Sequence, residues 1–259
     1  MNADIGAITG YIDVAQLVLY AFWLFFFGLV YYLRQEDKRE GYPLTPDPTD
    51  LLARCRRQGY PPLPAAKRFL LPHGGEVLAP GPNRDTRVIH ATPVAPWAGA
   101  PLEPTGDPMV DGVGPAAWAE RHDEPDLTID GAPKIVPIRV AQDFFVASED
   151  PDPRGMPVIG ADGVTAGTVV DVWIDRAEYV IRYLEVDLGE RRVLLPLNYT
   201  RVSAGRREVR VASICGRHFA SVPGLRNPDR VTFLEEDKIC AFYAGGYLYA
   251  TPDRMGPLL

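Results

Sequence analysis

Residues 14–33 read VAQLVLYAFWLFFFGLVYYL, twenty residues without an Asp, Glu, Lys or Arg. As a helix rising about 1.5 Å per residue they span about 30 Å, the thickness of a bilayer's hydrocarbon core. A single span in hydrocarbon satisfies its backbone groups internally only as a helix. Charges bracket the stretch, Asp13 before it and Arg34 after it. Tyr11 lies outside one end, and Tyr31 and Tyr32 stand at the other, where amphipathic rings favour the membrane–water interface. A cleaved signal peptide needs a basic leader and a small-residue cleavage site. Residues 1–13 hold no Lys or Arg, and bulky Tyr31-Tyr32-Leu33 runs directly into RQEDKRE at 34–40. The expectation is a retained transmembrane helix over 12–34.

The flanks set its direction. Arg34, Lys38, Arg39, Arg54, Arg56, Arg57, Lys67 and Arg68 all follow the span, and basic residues near a span stay on the cytoplasmic side. Residues 1–11 are therefore expected in the periplasm, and roughly 225 of the 259 residues in the cytoplasm. A net charge of −7 and a pI near 5.2 argue against nucleic acid as partner, because phosphate binding needs a basic surface. Cys55, Cys215 and Cys240 are odd in number and far apart, which fits a reducing compartment rather than disulfides or a thiolate metal site.

Gly41-Tyr42-Pro43 ends the helical pattern. Between 41 and 110 stand 14 prolines and 7 glycines, about 30% of the stretch. That composition favours extended or disordered chain. Apolar groups nevertheless recur at Phe69-Leu70-Leu71, Val88-Ile89 and Val94-Ala95-Pro96-Trp97, so 35–110 reads as an extended strap ordered against a partner. Residues 107–133 are acidic and turn-rich, with a short helix expected at Ala116–Glu120. From Lys134 onward the pattern is β. Val170, Val172 and Ile174 alternate, as do Val180, Leu184, Val186 and Leu188, with Arg182 interrupting the second row. Arg192–Pro196, Val202 and Glu208–Val211 follow, separated by Gly turns. Short strands at this spacing predict a small antiparallel barrel within a domain spanning 111–259. Glu235–Tyr249 reads as a closing helix with acids in its first turn and a weak point at Gly245-Gly246.

No GxSxG, P-loop, GxGxxG after a strand, or HExxH is present. His73, His90, His122 and His218 share no ligand-like spacing. One local set stands apart: Asp171, Asp175, Glu178 and Arg182, around the turn between two strands. Its plainest reading is a hairpin rim with ordinary ion pairs.

Four stretches give a sharper reading: RQEDKREGYPL at 34–44, Asp111–Ala116 (DGVGPA), Gly167–Asp175 (GTVVDVWID) and Leu234–Cys240 (LEEDKIC). Over its whole length the chain resembles the H subunit of the photosynthetic reaction centre of purple bacteria. The resemblance implies a PRC-barrel in the cytoplasmic part, in agreement with the strand pattern. It implies a non-catalytic, non-pigment subunit that caps the cytoplasmic face of the L and M subunits, stabilises the complex, shields the quinones and conducts protons to the secondary quinone. It places bacteriochlorophyll, bacteriopheophytin, ubiquinone or menaquinone and a non-haem iron in the partner subunits, with a cytochrome subunit, light-harvesting antenna and membrane lipid as further neighbours in a photosynthetic inner membrane.

By position in matching stretches, the resemblance assigns Glu178 as the interior proton-path acid and Arg182 as its neighbouring arginine. Asp175 and Asp130 become acids near the path or its mouth, with Asp171 and Glu236 as further acids. Relatives carry two surface histidines just after the position of Asp130, which accept protons and bind inhibitory zinc. Here that stretch reads Asp130-Gly131-Ala132-Pro133-Lys134, leaving His122 as the nearby substitute. Two other classes fit the bare residues: a membrane-anchored PRC-barrel regulatory or ligand-binding module with no pigment partner, and a membrane-anchored enzyme with an acidic site.

Overall fold

A computed structural model of the chain describes residues 13–44, 58–71, 74–81, 85, 87–97 and 99–255. The expected periplasmic segment 1–11, Arg54, Cys55, Arg56, Arg57 and His73 lie outside the described residues. The described chain falls into two compact units divided between 84 and 85, with 95–100 belonging to the first.

The first unit is built on a helix, Val14–Glu36 (α1). Asp13 caps it: its carboxylate accepts the Gln16 N–H at 2.7 Å, and the Gln16 side chain accepts the Asp13 N–H at 3.3 Å. This reciprocal pair satisfies two of the donors that every helix N-terminus leaves open. A single tight turn, Asp37–Arg39, follows, and Gly41 at φ +69° breaks the helix. No residue of α1 is buried within the chain, and its mean hydropathy of 2.0 makes it long and apolar enough to cross a membrane. The described part of the strap has more order of its own than its composition suggests. Lys67–Leu70 (β1) pairs antiparallel with Glu76–Ala79 (β2) in this unit.

The second unit begins with a similar short hairpin, Ala91–Pro93 (β3) on Leu102–Pro104 (β4). Pro108–Asp111 (α2) follows, capped by Asp107. The helix expected at Ala116–Glu120 is replaced by one tight turn, Gly114–Ala116, after which the backbone is extended. There Trp118 sits between Arg87, 3.6 Å from the ring centroid, and Lys238, 4.4 Å from it. Cation–π contact on both sides holds the half-buried Trp ring in this extended stretch.

The β-domain holds seven strands: Ile135–Pro137 (β5), Pro157–Ile159 (β6), Thr165–Asp175 (β7), Val180–Asp187 (β8), Arg192–Pro196 (β9), Thr200–Ser203 (β10) and Glu208–Val211 (β11). The ladder runs β10-β11-β6-β7-β8-β9, with β5 added to the end of β7. Every pairing is antiparallel except β11 on β6, which is parallel over two residue pairs. A ladder closing β9 on β10 is not among the pairings of the described residues; a tight turn, Leu197–Tyr199, joins these two strands.

Alternation is weaker than the sequence pattern implies. Asp171 to Asp175 are buried at every position, and so are Tyr183 to Val186. Both faces of β7 and β8 are covered, so polar residues at alternate positions cannot reach water and must find partners inside. Phe233–Tyr249 (α3) supplies much of the packing, with Ile239, Phe242 and Tyr243 in the core beside Trp173, Leu184 and Leu195. Gly245 and Gly246 act as contact points. A Cβ at Gly245 would run into Ala116, and one at Gly246 into Ile214 and the Ser213 carbonyl. Their missing side chains let α3 lie directly on these neighbours, a packing use that outweighs the helix propensity lost.

Candidate functional site

The turn between β7 and β8 is organised by Asp175. Its Oδ1 accepts the N–H groups of Ala177 at 2.9 Å and Glu178 at 3.0 Å, and its own carbonyl accepts the Tyr179 N–H at 2.9 Å. An Asp that bonds backbone two and three residues on folds the turn itself. Tyr179 completes it at φ +58°, a left-handed conformation that is uncommon for a bulky residue.

Arg182 reaches the same carboxylate because the β7–β8 ladder slips beside it. Trp173 faces Tyr183, but the next residue, Ile174, faces Ile181, so Arg182 has no partner across the ladder. Such a bulge re-aims a side chain. The guanidinium lies 3.2 Å from Asp175 Oδ2 and 2.5 Å from Glu178 Oε2. Lys134 enters from β5, whose first residue, Ile135, faces Asp175. Its ammonium stands 3.4 Å from Asp126 and 3.5 Å from both Asp175 and Glu178. Three carboxylates thus surround two cations.

Within this set the acids differ. Asp175 is fully buried, whereas the Glu178 side chain is 53% exposed. Burial pushes the Asp175 carboxyl up, but the Glu178 and Ala177 N–H groups, Arg182 and Lys134 together outweigh it and hold its pKa below the ordinary aspartate range. Asp175 is therefore an anion at neutral pH and an anchor for its neighbours. Glu236, in the first turn of α3, is shifted the other way. Burial raises it, and neither the Tyr183 hydroxyl, which donates to Glu236 Oε1 at 2.7 Å, nor the positive field of Arg182 fully offsets that. Cys240, one turn further along α3, is also raised by burial, to about 11, and stays a thiol.

Of the six candidate residues, Asp175, Glu178 and Arg182 are in direct contact, and Glu236 lies within their electrostatic field. Asp171 belongs to a second cluster. Arg139 bonds Asp171 at 2.9 Å and Glu185 at 2.5 Å, Trp173 Nε1 donates to Glu185 at 2.9 Å, and Arg192 reaches it at 3.2 Å. Among the described residues no ion pair joins the two clusters. Asp130 sits exposed at the tip of the tight turn 128–131, and no hydrogen bond or ion pair ties it to the Asp175 set. His122 is exposed as well.

Lys134, Asp126 and Tyr183 are the partners that sequence reading left out. The signal for Lys134 was its place next to a β-run, but the pairing of β5 with β7 spans about forty residues of chain and leaves no local mark.

Fold and site together define a β-domain protein with one helix long and apolar enough to cross a membrane, a charged cluster on its longest hairpin and none of the sequence signatures of a catalytic centre. The chain matches two families: "Photosynthetic reaction centre, H-chain N-terminal region" over residues 6–140, and "PRC-barrel domain" over residues 146–216. The first match covers more than half of the chain, which belongs to the H-chain family of the photosynthetic reaction centre. It is a subunit of that electron-transfer complex rather than a self-contained enzyme, and membership implies association with the L and M subunits.

Proposed function

We propose that this subunit caps the cytoplasmic face of L and M, shields the quinones from water and conducts protons to the secondary quinone. The N-terminus lies in the periplasm and the β-domain in the cytoplasm, in the photosynthetic inner membrane. The pigments, quinones and iron are held by the partners; lipid, antenna and any cytochrome subunit surround the same assembly. The division of the chain into a span over 12–34, a strap over 35–110 and a PRC-barrel domain over 111–259 follows this reading.

The observation that carries it is the pairing of a buried Asp175, ionised at neutral pH, with an exposed Glu178 through shared cations. Glu178 is oriented by the turn and by Arg182, yet open on its outer side, where a partner subunit would cover it. Three carboxylates meet two cations in this set, so the cations are shared between the buried acid and the open one. Glu236, raised by burial, adds a second site able to hold a proton nearer to neutral pH. Asp171, locked by Arg139, is a framework acid in this reading, and Asp130 a surface acid at the mouth.

Purification through a tag on this chain tests the assembly. The preparation should carry pigment absorbing in the near infrared. Removal of the chain from that complex should leave the pigment spectrum in place while slowing the proton-coupled second electron transfer. A tagged protein isolated without pigment would leave the anchored regulatory module as the better description.

A further inference from the structure

The cytoplasmic end of α1 is wrapped by residues 58–71 and 74–79 of its own unit. The Lys38 ammonium, 7% exposed, donates to the carbonyls of Gln58 at 2.7 Å and Pro61 at 2.5 Å. Arg39 donates to the carbonyls of Ala65 and Ala79, both at 2.8 Å. Lys67 pairs with Glu36 at 2.7 Å and lies over the Tyr32 ring, and the Tyr60 ring packs 5.9 Å from that of Tyr31. These ties fix the depth of the segment. Tyr31 and Tyr32 close the apolar run and mark the interface with water. Whatever packs on them and on the next turn of the helix lies at headgroup level.

That segment presents apolar side chains outward. Tyr60 is 84% exposed, Leu70 80%, Phe69 45%, Leu71 42% and Leu78 50%. Phe69 and Leu70 point to opposite faces of β1, all four residues of which are exposed. A two-stranded hairpin is marginal in water, and among the described residues of its unit this one keeps apolar side chains exposed on both faces. Charges are mixed rather than basic: Lys67, Arg68 and Arg34 are matched by Glu36, Asp37 and Glu76. The surface therefore suits the amphipathic headgroup and upper acyl layer more than a strongly anionic partner.

We infer that residues 58–71 and 74–79 form an interfacial collar, a second membrane contact outside the span, in which β1 and the residue after it insert Phe69, Leu70 and Leu71 among phospholipid headgroups. The collar sets the depth of α1 and carries the start of the strap away along the membrane surface. It does not depend on the proton-relay reading, because it lies in the other unit and involves none of those residues.

The test places the photoreactive residue p-benzoylphenylalanine at position 70, and separately at position 60, in the full complex. Each complex is held in nanodiscs of phosphatidylethanolamine and phosphatidylglycerol, and the near-infrared spectrum verifies assembly. Mass spectrometry after irradiation should find phospholipid adducts as the main product at both positions. Cross-links chiefly to another protein chain would show that the hairpin is a protein–protein surface and overturn the collar. Absence of any adduct at both positions would mean exposure to water and overturn it equally. Neither outcome touches the second electron transfer, so failure of the collar is separable from failure of the relay.

Discussion

Two charged clusters hang from the same strand, β7, and they are built to opposite ends. In one, Asp171 and Glu185, both under 10% exposed, share the single guanidinium of Arg139, which also bonds the Pro228 carbonyl and Asp229. Both of its buried acids are held, and the arginine ties the 228–229 loop to the sheet through Asp229, whose side chain is 53% exposed. In the other, Asp175 is buried as deeply, but its two cations also hold Glu178, which is half open to solvent. Burial with complete pairing gives a fixed framework. Burial of one acid beneath a partly open second gives a place where a proton can arrive. The count of acids is similar in both, and each has one half-exposed acid, Asp229 or Glu178; what separates them is that Glu178 shares both of its cations with the buried acid, whereas Asp229 meets only the outer edge of Arg139.

The comparison is broken most severely at Arg139. Replacement by Ala strands the buried Asp171, leaves Glu185 with Arg192 and Trp173 Nε1 alone and frees the 228–229 loop, and should cost about 3 kcal/mol or more, whereas Arg139→Met, which keeps the apolar stem, removes the same ion pairs and should be little better. Denaturant unfolding of the purified subunit in detergent, followed by circular dichroism, measures both. An effect below about 1 kcal/mol would place Arg139 among ordinary surface ion pairs.

Asp175→Asn should cost less, about 2 kcal/mol, because the amide oxygen still accepts the turn N–H groups while Lys134 and Arg182 can turn toward water. The pH dependence gives a second check. The folded pKa of Asp175 lies below the unfolded value of about 3.9, so its contribution is complete above that pH and is lost as pH falls through the folded value. The wild type should therefore lose stability in acid more steeply than Asp175→Asn.

Glu236→Gln should have the smallest effect on stability. Its folded pKa is raised, so the wild-type group favours folding more at low pH and loses that advantage as pH rises above about 4.3 and through the folded value. Gln keeps an acceptor for the Tyr183 hydroxyl and carries no charge. Stability of the variant at neutral pH should equal or slightly exceed that of the wild type, with a flatter profile as pH rises above about 4.3. A clear loss at neutral pH would mean that the ionised carboxylate is a needed partner of Arg182.

Much of this architecture was legible in the residues. The uncharged run from Val14 to Leu33, the β-runs from Ile135 to Val211 and the acid-led helix ending at Tyr249 carry local signals that the fold keeps. The parallel pairing of β11 with β6 left no such signal, since it joins two short strands distant in sequence. The two clusters could not be separated from alternation alone, which sets Asp171 and Asp175 in one row. The long-range partners, Arg139 from the segment after β5 and Lys134 from the residue before it, decide which acid is locked and which is shared. The bulge that frees Arg182 was visible only as a charged residue breaking an apolar row. Exposure of Glu178 follows from the Asp175 turn and from Tyr179 at positive φ, neither of which has a reliable sequence signature.

The most direct measurement compares Glu178→Gln with Asp171→Asn in purified complexes with intact pigment spectra. After a second saturating flash at neutral pH, electron transfer to the secondary quinone is coupled to protonation. The open cluster carries that proton in this account. Glu178→Gln should slow the second transfer by about tenfold or more, the scale of losing a positioned acid–base group, and leave the first transfer unchanged. Asp171→Asn should leave both rates as in the wild type. An unchanged second transfer in Glu178→Gln, or a slowing confined to Asp171→Asn, would contradict it.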